Sequence, residues 1–324
     1  MNQFIQYGGV QSIPIYNCSA YTAEQWTQKD GISRPVLGIT ESIFEFLVEL
    51  LYFPMMFVML EKPNFKMSCY KIMAFLAVVD MISISLCCIL TGILAYRGAV
   101  FCSYPELIYF AGIIIKSFWC CSCITALILI SNRILDLLFP QIGRFLFDGN
   151  RTFIVLLFAT CYMLYFAIDK TPSLFTSKFH SWFFDPMIFE GRGKDYESIP
   201  CVFNNFFVVF ATCFLYIVFC FVLGSELKNV NKSSASFRVS IQILFQSALI
   251  CLMNLTASMI YMYMNYFESP LWLIIFGNLV YQLGCCSPVF VYFTCNKTIR
   301  NGLLRKFGLK KKTAKVSIVT SKSV

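Results

Sequence analysis

Three glutamates and one lysine lie inside long apolar stretches of the sequence, where ionisable side chains are costly and point to function. Glu41, Glu45 and Glu49 recur every fourth residue, so on a helix they form a stripe along one face. Such a stripe should face other helices or a wet cavity. Lys116 either extends to the membrane surface or acts as counter-ion for the glutamates or for an anionic ligand. Glu41, Glu45 and Lys116 are therefore candidate ligand-pocket residues.

A second candidate is Asp80, about twelve residues into its apolar stretch and so near the middle of a bilayer. Two interpretations are open. The carboxyl group could be protonated and hydrogen-bonded to a neighbouring helix, or it could belong to a polar site that binds a proton or a sodium ion. Glu49 lies at a similar depth, and for it the first interpretation is favoured.

The third candidate lies in the string ISNRILD (130–136), which closes an apolar stretch of about thirty residues. Arg133 is close enough to the end of this stretch for its guanidinium to reach water. That position explains why the arginine is tolerated, but it does not explain Asn132 before it or Asp136 after it. An arginine fixed at the end of a helix can also act as a latch that neighbouring helices hold and release.

The sequence gives little support for an enzyme or a metal centre. Its single histidine, His180, cannot supply a histidine-rich site, and no pair of CxxC motifs stands in a polar context. No nucleophile with a base is recognisable. Most of the 16 cysteines lie in apolar runs, where they behave as small hydrophobic residues. We therefore expect no catalytic residue, no cofactor and no metal beyond a weak sodium site.

The composition indicates an integral membrane protein. Of the 324 residues, 58% are hydrophobic and 13% are charged, whereas soluble domains carry about 25% charge. The first 35 residues show no basic start followed by a short apolar run, so no cleavable signal peptide is expected. A nucleic-acid partner is not expected, whereas membrane lipid is.

Seven stretches are long enough to span a bilayer as helices, which predicts an all-α seven-helix bundle. Their approximate limits are 36–60, 69–95, 105–131, 152–169, 203–226, 238–264 and 271–295. No internal repeat of the kind found in transporters is evident. The predicted divisions are an extracellular N-terminus at 1–35, a seven-transmembrane domain at 36–295 and a basic cytoplasmic tail at 296–324.

Lysine and arginine positions favour an outside N-terminus and a cytoplasmic C-terminus. With that orientation, 18 of the 26 basic residues lie on the inner side, nine of them from Lys297 onward. The tail segment RKFGLKKKTAK (305–315) could contact anionic lipid or a cytosolic partner. The sequon Asn17-Cys18-Ser19 then lies outside, so we expect glycosylation at Asn17.

Several motifs resemble those of G-protein-coupled receptors. LAVVD (76–80) is similar to their second-helix motif, NRI (132–134) stands at the acidic-arginine-aromatic triplet, and SPVFVY (287–292) stands at the NPxxY-type motif. Ser122 matches the serine that accompanies the second-helix aspartate at the superfamily's sodium site. The resemblance implies a sodium site at Asp80 and Ser122 and a G-protein coupling switch at Asn132, Arg133, Pro288 and Tyr292.

The switch differs from the superfamily pattern in one respect that affects its resting state. Asn132 replaces an acidic residue, so the usual local ion pair with the arginine is missing. We therefore expect Arg133 to use other partners, and Asp136 and Glu226 are the candidates.

An ordered set of strings resembles more specifically the nematode serpentine chemoreceptors of class T (Srt). They are YNCS (16–19), CYKIMAFLAVVDM (69–81), CSYPELIYFAG (102–112), WCCSC (119–123), WFFDP (182–186), FQSALICLMN (245–254) and NKTIR (296–300). The resemblance implies a receptor that senses a small environmental molecule on the cilia of chemosensory neurons and signals through a heterotrimeric G protein. A membrane transporter or ion channel is the alternative function.

Three cysteines, Cys18, Cys102 and Cys201, lie in polar connections on the predicted outer side. They allow three pairings and leave one thiol free. We favour Cys102–Cys201, which would tie the top of the third helix to the segment before the fifth.

Overall fold

The computed structural model describes residues 1–189, 191–228 and 235–309, with side chains for all of these except 222–223, 225–228 and 235–240. Within these residues, seven helices are long and apolar enough to cross a membrane. We call them the first to seventh spans: Pro35–Met59, Ser68–Tyr96, Pro105–Leu138, Arg151–Ile168, Ile199–Lys228, Ala235–Tyr266 and Leu271–Cys295. The predicted seven-helix class is confirmed, and most predicted limits lie within about four residues of these.

The third span is the centre of the bundle. In the 18-residue apolar segment of the third span, 78% of the residues are buried, whereas 22% are buried in the corresponding segments of the fourth and fifth spans. It also continues to Leu138, so Arg133 lies more than one turn before the helix ends. The end of the bundle that carries residues 1–34 is called the N-terminal end below, and the opposite end the C-terminal end.

The second span contains a rare change of helix type. It is α-helical over Ser68–Ile84, π-helical over Ser85–Leu90 and α-helical again over Thr91–Tyr96. Just after the π-helix, Gly92 meets Gly38 of the first span so closely that a Cβ atom on Gly92 would lie 2.5 Å from the Gly38 carbonyl oxygen. Small residues at such a crossing let two membrane helices approach at backbone distance.

Residues 1–34 form a lid over the N-terminal end. The lid contains the helices Asn2–Tyr7 and Ala23–Asp30 and the 3₁₀ turn Pro14–Tyr16. Thr22 and Gln25 form a capping box that starts the second of these helices. The buried Tyr16 ring packs edge-on against Phe101 and Tyr109, so the lid is anchored on the third span and the turn before it.

A two-stranded hairpin between the fourth and fifth spans enters the N-terminal end of the bundle. Strand β1 (Leu174–Thr176) pairs antiparallel with β2 (Ser181–Phe183). His180, in the turn between them, has a φ of 52°, a left-handed conformation in which histidine is enriched. The Trp182 Nε1–H donates to Thr91 Oγ1 at 2.7 Å, and Arg34 donates to the carbonyls of Ser177 and Lys178. The hairpin is thereby fixed to the second span and to the lid.

The C-terminal end carries a short helix, Lys297–Lys306, after the seventh span. Asn296 caps it by accepting hydrogen bonds from the backbone N–H groups of Thr298 and Ile299. Its buried face packs on the first span, where Gly302 contacts Val58.

Other short helices are Lys62–Phe65, Phe101–Ser103, Pro140–Phe147 and Gly193–Tyr196. The tail beyond Leu309, with most of its predicted basic cluster, lies outside the described residues.

Candidate functional site

A cavity of about 340 Å³ opens at the N-terminal end, between the third, fifth, sixth and seventh spans and beneath the hairpin. Ligand sites of proteins range from about 300 to 1,000 Å³, so this one suits a small molecule. Its lining combines seven aromatic residues with a few polar ones. The aromatic residues are Trp119, Trp182, Phe183, Phe184, Tyr196, Tyr261 and Tyr281; the polar ones include Asn205, Asn265, Asp185, Glu197 and Lys116.

The aromatic wall is held in place by its own contacts. The rings of Trp119 and Tyr281 pack edge-to-face with centroids 5.0 Å apart, and Tyr261 packs on Tyr281 at 6.1 Å. The Trp119 indole N–H donates to Asn205 Oδ1 at 3.4 Å, which connects the third span to the fifth. These contacts fix a mainly apolar surface next to a small number of polar groups that can orient a ligand.

Lys116 lines the cavity, but its charge is already neutralised. The Lys116 Nζ lies 2.8 Å from Asp169 Oδ2 and 2.5 Å from the Thr171 carbonyl oxygen. Asp169 also accepts from Ser198 Oγ at 3.0 Å. Lys116 is only 2% exposed, so it neither reaches the membrane surface nor pairs with the glutamate stripe. Its partner is an aspartate just after the fourth span.

The carboxylates of the cavity have no such partner. No basic side chain among the described residues lies within 4.0 Å of Asp185 or Glu197. Burial raises the pKa of Asp185, although its carboxylate accepts the Met187 backbone N–H at 2.8 Å. The cavity is therefore neutral to negative in character and disfavours an anionic ligand.

Two of the predicted pocket residues, Glu41 and Glu45, do not line this cavity. The stripe does face the bundle, as expected, because Glu41 and Glu45 are buried and Glu49 is half-buried. However, Glu41 binds His180 Nε2 of the hairpin at 2.8 Å, and Glu45 contacts Cys286 of the seventh span. The first span packs on the second and seventh spans, and the hairpin fills the space between it and the cavity. Of the three predicted pocket residues, only Lys116 therefore lines this cavity.

The predicted disulfide was wrong. Cys102 is bonded to Cys18, with the two Cα atoms 5.5 Å apart, and Cys201 is a free, buried thiol. Cys201 lies in the first turn of the fifth span and points into the cavity lining. The lid, in contrast, crosses directly over Cys102. The buried Val10, Ile13 and Tyr16 give the lid its packing face, and these apolar residues were the sequence signal for a folded N-terminus.

Asp80 and Ser122 come together as the resemblance implied. Ser122 Oγ donates to Asp80 Oδ1 at 3.1 Å, and the Tyr52 hydroxyl donates to Asp80 Oδ2 at 3.0 Å. Asp80 is fully buried. Tyr52 also lies 6.5 Å, ring to ring, from the fully buried Tyr292 of the seventh span, one turn beyond Pro288. Binding of sodium at this group stays a prediction.

Arg133 is buried at the C-terminal end and contacts three side chains. Its Nη2 lies 2.6 Å from Asp136 Oδ2 and 3.3 Å from Ser68 Oγ of the second span. Its Nε donates to Asn132 Oδ1 at 3.0 Å. Asp136 is thus the ion-pair partner among the described residues, while the side chain of Glu226, the other candidate, lies outside them.

The comparisons with known proteins agree with this geometry. The sequence model of the family "Serpentine type 7TM GPCR chemoreceptor Srt" matches residues 3–316. The chain belongs to the Srt family. Serpentine receptor class T-55 of Caenorhabditis elegans is 24% identical over 305 residues, which cover 94% of this chain and 83% of that protein. Squid rhodopsin shares the fold with a TM-score of 0.64 at 13% identity, over 87% of this chain and 88% of its own.

The Srt assignment confirms the resemblance found in the sequence and makes the chain a multi-pass, seven-transmembrane receptor of the chemosensory type. Three hydrogen bonds of this Srt receptor were not predicted from the sequence. They join Tyr52 to Asp80, His180 to Glu41, and Trp119 to Asn205 in the cavity. Each joins residues that are far apart in the sequence. Tyr52 and Asn205 are not distinguished by type or spacing, whereas His180 is the single histidine of the chain.

Proposed function

We propose that this Srt receptor binds a small, mainly apolar molecule in the cavity at the N-terminal end and activates a heterotrimeric G protein at the C-terminal end. The observation that carries the proposal is the aromatic cavity of about 340 Å³ between the third, fifth, sixth and seventh spans. Those are spans whose small relative movements can be biased by a ligand that contacts all of them.

The charges of the cavity narrow the class of ligand. Lys116 is paired with Asp169, whereas Asp185 and Glu197 have no basic partner among the described side chains. An anion would therefore meet only negative or neutral groups. We infer a neutral or cationic ligand with an apolar body against Trp119, Tyr261 and Tyr281 and a hydrogen-bonding group toward Asp185 or Asn205.

The proposed signalling face is the C-terminal end. Arg133 with its partners lies there, and so does the helix Lys297–Lys306, where Arg305 and Lys306 pair with Glu61 at 3.4 and 3.6 Å. The excess of basic residues on this side supports a cytoplasmic orientation and contact with anionic lipid. The proposed location is the plasma membrane, at the cilia of chemosensory neurons, and the proposed role is that of a receptor without catalytic activity.

A ligand screen in cells that express the receptor with a promiscuous G protein tests this function. The expected result is a set of small neutral or cationic agonists that raise the second-messenger signal. Trp119→Phe removes the indole N–H that binds Asn205, so agonist potency should fall about tenfold, equivalent to about 1.4 kcal/mol.

Trp272→Phe is the matched control, because Trp272 is 67% exposed on the seventh span and does not line the cavity. Its potency should equal that of the parent protein. Substrate movement across the membrane without any G-protein signal would contradict this proposal and support the transporter alternative.

A further inference from the structure

Four cysteines and one glutamate meet in the interior of the bundle, outside the ligand cavity. Glu45 Oε2 lies 2.5 Å from Cys286 Sγ, Cys87 Sγ lies 3.3 Å from Cys88 Sγ, and 3.8 Å separates the sulfurs of Cys87 and Cys285. All five side chains are at most 3% exposed. Glu45 is ten residues after Pro35, about 15 Å along the first span. The group therefore joins the first, second and seventh spans deep in the membrane region.

Glu45 lacks the positive partner that a buried carboxylate requires. The one histidine binds Glu41, and no basic side chain among the described residues lies within 4.0 Å of Glu45. An isolated ionised carboxylate in such surroundings is strongly unfavourable, so it is either protonated or bound to a cation. The side chains beside it are thiols, which are ligands for soft metal ions and poor partners for sodium or calcium.

The π-helical segment explains how two consecutive cysteines reach the same group. Ser85–Leu90 is π-helical, and π-helical segments occur frequently at functional sites. Both Cys87 and Cys88 are fully buried. The Cys87 carbonyl accepts from Gln282 Nε2 at 3.0 Å, which fixes this segment to the seventh span near Cys285 and Cys286. In the sequence these cysteines lie in apolar runs and resemble small hydrophobic residues, and only the fold brings them together.

We propose that Glu45, Cys88 and Cys286 bind one zinc ion. Their ligand atoms lie within 4.8 Å of one another. Tetrahedral zinc, with bonds of about 2.3 Å to sulfur and about 2.0 Å to oxygen, requires separations of about 3.5 to 3.8 Å. Glu45 Oε2 and Cys286 Sγ, which lie 2.5 Å apart, have to separate by about 1 Å, and a pair at the 4.8 Å limit has to close by about 1 Å. Side-chain rotation allows both movements. A site with one carboxylate and two thiolates favours zinc over copper(I), because copper(I) prefers sites made of sulfur ligands alone. The fourth tetrahedral position is left to a water molecule.

Zinc binding replaces the protons of the ligands by the metal ion, and no oxidation state changes. Cys88 and Cys286 each form a zinc–sulfur bond and release the thiol proton to solvent, and Glu45, protonated without the metal, releases its proton and binds as carboxylate. The three ligands come from the second, seventh and first spans, so the ion links them just two residues before Pro288. The bound ion stabilises the arrangement of the seventh span seen here.

Metal analysis of the full-length receptor tests the site. The protein is purified in detergent through a tag without histidine, incubated with zinc chloride, washed with a weak chelator and measured by mass spectrometry of the metal. About one zinc ion per molecule is expected. Cys286→Ala and Glu45→Gln should each lower bound zinc at least about fivefold, because each removes one of three ligands.

Cys121→Ala and Cys251→Ala are the matched controls, since both cysteines are buried and lie outside the group. They should keep the zinc content of the parent protein. Wild-type protein that holds no more zinc than Cys286→Ala, or an equal loss in Cys121→Ala, would overturn the proposal.

A second measurement avoids variants that fail to fold. Removing zinc from the wild-type receptor with a strong chelator should lower its Tm by about 5 °C, and added zinc should restore it, since a ligand that binds the folded state stabilises it. An unchanged Tm in both directions contradicts the site.

Discussion

Arg133 depends on three acceptors that a planar guanidinium can engage together: Asp136, Asn132 and Ser68. Only Asp136 is charged, and its side chain is partly exposed, so the ion pair contributes little, about 0–1 kcal/mol. The remaining restraint comes from neutral hydrogen bonds to the third and second spans. We therefore expect a weakly held resting state and measurable basal signalling.

Replacement of Arg133 separates a signalling role from a packing role. Arg133→Ala should leave ligand binding and surface level near normal and lower G-protein activation at least about tenfold, as loss of an interface hot spot does. Arg133→Lys should restore only part of the signal, because lysine keeps the charge but loses the fork of donors. Signalling is measured at matched surface expression. Full activity of Arg133→Ala would leave Arg133 a structural anchor.

Asp80 is the second residue with a testable role. In Asp80→Asn, one carboxylate oxygen becomes an amide donor, so either the Tyr52 or the Ser122 hydroxyl loses its acceptor. We expect normal surface expression with a shifted agonist response, measured as a dose–response curve. Glu49→Gln is the control, because the half-buried Glu49 accepts from Ser85 alone among the described side chains. If Asp80→Asn responds to agonist as the parent does, Asp80 is a hydrogen-bonded buried carboxyl group without a role in signalling.

At the scale of elements, the lid depends on the Cys18–Cys102 bond, which closes 84 residues of sequence. In the chain-entropy account, a disulfide that closes a loop of this length stabilises the folded state by about 4.6 kcal/mol. Cys18→Ser and Cys102→Ser should therefore lower the Tm by similar amounts. Cys201→Ser should have a smaller effect, because Cys201 is a free thiol.

Thermal unfolding of the three purified variants checks these expectations, and mass spectrometry of non-reduced peptides identifies the pair. A Cys102–Cys201 peptide would contradict the lid described here.

The crossing of the first and second spans gives another prediction. A Cβ on Gly92 meets the Gly38 carbonyl oxygen and the Ser42 hydroxyl, so Gly92→Val should force the helices apart and reduce folded receptor at the surface. Overpacking of this kind costs about 1–3 kcal/mol. Gly224→Val is the control, because no atom of the described part of the chain lies within 4 Å of a Cβ there. Equal surface levels for the two variants would contradict the close crossing.

The sequence predicted the helices better than it predicted their contacts. Membrane helices must be continuous and apolar, so hydropathy located all seven spans, and Ser122 could be matched to Asp80 because each lies in a recognisable string. The position of Glu41 outside the cavity and the pairing of Cys102 could not be predicted, for a different reason. They depend on where the lid and the hairpin fold, and those elements are short, partly polar and without a periodic pattern.

For the whole molecule, the orientation in the membrane is the first requirement of a receptor. The exposed Asn17, in the lid, should be glycosylated, and a tag at the C-terminus should be cytoplasmic. Asn17→Gln should run faster on a gel than the parent protein, by the mass of one glycan. Glycosidase-treated parent protein, as the control, should run like Asn17→Gln. A C-terminal tag that antibodies reach on intact cells would reverse the orientation and remove the receptor account.

Ligand-dependent nucleotide exchange is the most direct test of the central claim. The purified receptor is placed in lipid nanodiscs with a heterotrimeric G protein, and GTP-analogue binding is followed with an agonist from the ligand screen. The account predicts faster exchange with agonist for the parent and for Trp272→Phe, a response to higher agonist concentrations for Trp119→Phe, and no response for Arg133→Ala. Agonist binding without any acceleration of exchange, across the heterotrimer classes, would contradict it.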